Sequence, residues 1–109
     1  MDLTEEVYLV SSGFPKQERY GITGQLRRSA VSVPANIAEG AARPGPRQFI
    51  QFLGVASGSL AEVETLLMLA SRLGFADKIR IQHLLDRAGH VGRMINGLKR
   101  SLASRIRNP

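Results

Sequence analysis

The stretch from Gln25 to Gly40, QLRRSAVSVPANIAEG, decides the fold of this chain. Leu26, Ala30, Val33 and Ile37 recur at spacings of 4, 3 and 4, one apolar stripe of a helix. Val31, Ala35 and Ala38 add small apolar surface on another side, while Gln25, Arg28, Ser32, Asn36 and Glu39 fall on one helical line. A helix so lightly charged outside one line is packed on several sides. Its polar line then needs partners, within a bundle core or at a subunit interface. The stretch therefore predicts helical assembly before it predicts chemistry.

The surrounding sequence reads as three more helices. One is expected over about 3–12, with Leu3, Val7 and Val10 on its inner side and Gly13 and Pro15 as its stop. The turn after it is anchored, on this reading, by Phe14 and Tyr20. The quoted stretch extends to a helix over about 22–42. Pro34 inside it removes one backbone donor and predicts a kink near Ala30–Pro34. Arg43-Pro44-Gly45-Pro46 is a break, and a long helix over about 46–73 follows, ended by Gly74. Gly54, Gly58 and Ala61 lie on one line of it and predict close approach of a neighbouring backbone. Asp77 is the expected N-cap of the last helix, about 77–104. Its seam, Ile81, Leu84, Ala88, Val91, Ile95, Leu98 and Leu102, alternates spacings of 3 and 4. Residues from Arg105 onward are expected to fray. No strand pattern competes, so the fold class is all-α: an antiparallel up-down four-helix bundle forming a single domain over 1–109. The first helix is about half as long as the others, which predicts a gap that a partner subunit fills.

Composition narrows the function. There is no cysteine, hence no disulfide and no thiolate metal site. The acidic N-terminus does not read as a signal peptide, and the longest apolar run stops at Glu62 and Glu64. A cytoplasmic protein without membrane contact is expected. Charge is uneven: residues 1–64 carry a net −1 and residues 65–109 a net +7, and twelve of the fifteen bases are arginine. Such a balance suits phosphate contact, although a solvated helix face has the same composition. The candidate nucleic-acid contacts are Arg43, Arg47, Arg80, Arg87, Arg93, Lys99, Arg100, Arg105 and Arg107.

Enzymatic chemistry finds little support. Glu-x-x-His pairs of di-iron bundles are absent, Glu62 and Glu64 point to different sides, and His83 with His90 make one helix face only. No nucleophile motif and no phosphate loop occurs. No catalytic residue, metal or cofactor is expected. Gln25, Arg28, Asn36 and Glu39 form the sharpest polar set, read as a structural network that fixes register or subunit orientation.

The run Val7-Tyr8, Phe14-Pro15, Glu18-Arg19-Tyr20-Gly21 and the quoted Gln25–Gly40 string resemble the four-helix-bundle proteins encoded in intervening sequences of bacterial 23S ribosomal RNA genes. Phe49, Phe52-Leu53, Ala56, Gly58-Ser59, Glu62, Glu64-Thr65 and Leu73-Gly74 continue the resemblance. It implies a ring-like homo-oligomer, a pentamer around a central channel. It also implies similarity to the accessory protein of diversity-generating retroelements, which contacts nucleic acid and a reverse transcriptase. The expected function is a non-enzymatic oligomeric scaffold or adaptor whose basic surface binds RNA or DNA without sequence preference. The alternative is a purely structural oligomer that recruits a protein partner. A ligand- or metal-dependent enzyme ranks last.

Overall fold

The computed structural model describes residues 2–107, and all regular structure among them is helical. Helix α1 spans Asp2–Ser11, α2 Ile22–Ala41, α3 Pro46–Arg72 and α4 Lys78–Arg107, with a short 3-10 turn at Lys16–Glu18. The four helices make a rod of 51 × 24 × 18 Å. Helix α4 continues through Arg105, Ile106 and Arg107, where fraying was expected. Buried Leu102 and half-buried Ile106 keep those last turns on the bundle. Asn108 and Pro109 lie outside the described residues.

Each helix contributes one apolar line to a common core. Val7, Leu26, Leu53, Val63, Leu67 and Leu84 are sealed from solvent or nearly so. The pairing of α2 with α3 is fixed by three contacts. Gln25 donates to Glu62, Ser32 and Ser59 share a hydrogen bond of 2.8 Å, and Gly40 abuts Phe49 and Phe52. Contact positions thus fall along one helix as they rise along the other. Helices α3 and α4 repeat this arrangement: Met68–Arg72 lie beside Lys78–Leu85, and Leu60 beside Gly92.

The helix ends obey local rules. The Asp77 carboxylate accepts from the Arg80 backbone N–H at 3.2 Å, the expected N-cap bond. At the end of α3, Gly74 takes a φ of 76°, Phe75 N–H reaches the Ala70 carbonyl at 2.9 Å, and Gly74 N–H reaches Ser71 at 3.1 Å. This is a Schellman stop, and only the glycine adopts that φ without strain. The stop also aims Phe75 at Phe14, ring centroids 5.7 Å apart, so the α1–α2 and α3–α4 connections pack on each other. Phe14 is the anchor foreseen. Tyr20 is not, since it is 88% exposed. It follows the turn's last bend, and its ring contact is with neighbouring Arg19.

Pro34 lies inside an unbroken α2. Its ring nitrogen has no hydrogen, so the Ala30 carbonyl loses its usual partner one turn away. The Thr4 hydroxyl of α1 donates to that carbonyl at 3.1 Å. Thr4→Val keeps the shape and removes the donor. It is expected to cost about 1–3 kcal/mol in denaturant melts, with Thr4→Ser near the parent. Equal stability of the valine variant would show the carbonyl to be satisfied by water.

The small-residue line of α3 behaves differently from expectation. Nothing lies within 4 Å of a side chain built at Gly54 or Gly58, and both are exposed, as is Ala61. In this chain no neighbouring backbone approaches them. Of Gly89, Gly92 and Gly97, only Gly92 meets another helix, through Leu60 at 3.4 Å. The close helix approach is at Gly40 instead, where an added Cβ would lie 2.7 Å from Phe52 Cβ. The short α1 leaves a gap, as its length implies. Val91 is half-buried and Leu98 36% exposed, and they border a cleft of about 260 Å³ between the start of α1, Pro34 and Leu53.

Candidate interaction surfaces

The polar line of α2 does not close into one network within a single chain. Gln25 bonds Glu62 of α3 and accepts from Arg28 at 3.0 Å. Asn36 donates to Ser32, both to its carbonyl at 2.8 Å and to its hydroxyl at 2.9 Å. Glu39 pairs with Arg43 one turn on, at 2.9 Å. Gln25 and Asn36 are half-buried, whereas Arg28 and Glu39 are exposed. The core placement is therefore not realised for Arg28 and Glu39. The line forms a polar seam between α2 and α3 whose outer members face away from the bundle.

On either side of the Ser32–Ser59 seam lies an outward surface of low charge. Helix α2 contributes exposed Val31, Ala35 and Ala38; α3 contributes exposed Gly54, Val55, Gly58, Ala61, Met68 and Leu69. The bare line of α3 runs from Gln51 to Arg72, about 30 Å at 1.5 Å per residue. Glu62 and Arg72 are its only charges between those ends. By length and composition α3 is long and apolar enough to cross a membrane, which the run-length reading did not foresee. Its inner line, from Leu53 to Ala70, is nonetheless buried against α2 and α4. The excess apolarity resides on the outer line.

The nine basic candidates divide by height along the rod. Arg80 sits at the start of α4, and its end of the bundle also carries the 3-10 turn. Arg87 is tied to α1 through Glu6 at 3.3 Å, so it holds the bundle together. Arg93 is exposed at mid-height. The remaining six gather at the opposite end. The Arg43-Pro-Gly-Pro connection carries Arg43 and Arg47, and the last turns of α4 bring Lys99, Arg100, Arg105 and Arg107 to the same level. Arg43 pairs with Glu39 and lies over the Phe52 ring at 5.2 Å. The other five show no ion pair among the described residues.

No cluster of three or more histidine, aspartate or glutamate residues suited to a metal occurs among the described residues. His83 and His90 lie exposed along α4, and Asp86 between them accepts from Gln82 at 2.9 Å. Two residues that matter for the fold carry no signal in helical periodicity. Arg27 donates to Ser11 Oγ at 2.8 Å and stacks over Tyr8 at 4.8 Å, clamping the end of α1 to α2. Thr4 caps the proline gap. Both belong to pairs distant in sequence, which helical periodicity does not reveal.

These features define a small all-helical protein, with four α-helices among the described residues, a bare flank and a charged end. The chain belongs to the family of 23S rRNA-intervening sequence proteins, whose model matches residues 1–97. The match stops short of Lys99, Arg100, Arg105 and Arg107. Among solved structures, the chain is similar to a protein of unknown function from the S23 ribosomal protein family of Bacteroides thetaiotaomicron VPI-5482. The TM-score is 0.75 at 18% identity, covering 89% of this chain and 97% of that one. No curated protein matches.

Proposed function

We propose that this protein is a non-enzymatic scaffold: an antiparallel up-down bundle that assembles with copies of itself, five in a ring, and offers basic surface to nucleic acid. The observation that carries the reading is the bare flank of α2 and α3. About 30 Å of helix surface with so little charge costs free energy in water and regains it when covered. Glycine and alanine on that line let another helix come close, a role they lack within one chain. The exposed Arg28 and Glu39 at its margin supply polar partners for a neighbour. The number five rests on the family resemblance. In any closed ring whose axis runs along the rods, every subunit presents the same end on the same side, so weak contacts there add up.

Gly58→Arg tests this. In the isolated chain the new side chain enters open space, and arginine favours helix over glycine by about 0.5–1 kcal/mol. Folding is therefore retained, while a long cation stands in the middle of the proposed contact. Light scattering is expected to report a multimer for the parent and a folded monomer for the variant. A parent that stays monomeric at micromolar concentration sinks the scaffold reading.

A further inference from the structure

We infer that the nucleic-acid contact is confined to one end of the rod, the end built by the Arg43–Arg47 connection and the last turns of α4, and that it grips the phosphate backbone of a duplex. The inference rests on the reading that this protein binds nucleic acid, and it goes further by fixing where and in what form.

Sequence alone separates the bases of this end by some fifty residues. The fold joins them. Segments 39–50 and 96–107 hold six bases and a single acid, Glu39. That acid is already engaged by Arg43. Arg47, Arg100, Arg105 and Arg107 are exposed and without ion pairs among the described residues. At the other end five bases, Lys16, Arg19, Arg72, Lys78 and Arg80, stand among three acids, Glu18, Glu64 and Asp77. The larger share of the excess of base therefore falls on one concentrated patch.

A dense patch of unpaired guanidinium groups matches closely spaced phosphates, where each contact releases condensed counterions. Single strands are also drawn to basic grooves, but the proteins that hold them add aromatic rings on which successive bases stack. This end offers no ring for that purpose: Phe49 and Phe52 are half-buried, and Arg43 covers Phe52. Backbone contact with a duplex is what remains. Four of its six bases, Lys99, Arg100, Arg105 and Arg107, lie beyond residues 1–97, the span that the family model matches.

The experiment compares two triple variants of the full chain with equal loss of charge. One is Arg47→Gln, Arg100→Gln and Arg107→Gln; the other is Arg72→Gln, Lys78→Gln and Arg80→Gln. Each is titrated against a fluorescent duplex DNA, a duplex RNA and a single strand by anisotropy at several salt concentrations. Circular dichroism confirms folding. The first variant is expected to lose about tenfold or more in duplex affinity. Its slope of log affinity against log salt should shrink by about 0.9 for each contact removed. The second variant should stay near the parent, and the single strand should bind more weakly than either duplex. Equal losses in both variants, or none in the first, overturn the inference and leave nucleic-acid binding standing. A single strand bound as tightly as a duplex overturns the duplex assignment. No binding by the parent even at low salt removes the reading on which the inference rests.

Discussion

Gly40→Ala is expected to destabilise the protein, and Gly40→Leu to prevent α2 and α3 from docking at all. Alanine is the better helix former, by about 0.8–1.0 kcal/mol. Against that stands geometry. The new Cβ would lie 2.7 Å from Phe52 Cβ and 2.9 Å from Phe49 Cδ1. Phe52 Cβ is held by its own backbone, so relief requires the helices to part. Overpacking of this kind costs about 1–3 kcal/mol, which outweighs the propensity gain. Leucine adds three carbons beyond that Cβ, where none fits. Midpoints of urea unfolding, read by circular dichroism, should fall for alanine and be unmeasurably low for leucine. A gain in stability for alanine would mean that the α2–α3 contact is looser than the structure shows.

Leu67→Ala is the second large effect. Leu67 is fully buried on the inner line of α3. Its removal deletes three carbons from the core and leaves a cavity that helices pinned at Gly40 and at the Ser32–Ser59 bond cannot easily collapse. The expected cost is about 2–5 kcal/mol, a large share of the about 5–15 kcal/mol that holds a domain of this size together. Met68→Ala, next in the chain on the outer line, is expected to leave monomer stability almost unchanged. Thermal melts of the two variants, each in the monomeric Gly58→Arg background, test the inner and outer assignment. Similar losses would place Met68 in the core and undo the account of the bare flank.

The fold was legible because helices announce themselves locally. Apolar spacing, Gly74 as a stop, Asp77 as a cap and Pro46 in a first turn need only near neighbours in sequence, and each lies where it was read. Errors arose where a residue's role depends on a distant one. Gly58 and Gly40 look alike in a string of letters. One faces solvent and the other faces Phe52, and only the meeting of helices tells them apart. Tyr20 was read as an anchor because it is large and aromatic, yet the bend after the 3-10 turn points it outward. The site was less legible than the fold. The nine basic candidates come from composition alone, and their division into an Arg87 tied to α1, a remote Arg80 and a clustered end follows from how α4 lies along α3. Arg28 and Glu39 were paired with Asn36 by helical spacing, which fixes direction and says nothing of what stands opposite.

The bond from Thr4 to the Ala30 carbonyl has a consequence for how the chain reaches its structure. Helix α2 cannot complete its own hydrogen-bond ladder, because Pro34 withholds the donor that Ala30 needs. The missing rung comes from a residue 26 positions earlier. Formation of α2 and docking of α1 are thereby coupled events. The coupling ties a segment of ten residues, too short to be helical alone, to a helix that also packs along α3. Loss of α1 from the bundle would reopen the gap in α2, so that a defect at one terminus is felt in the middle of the chain.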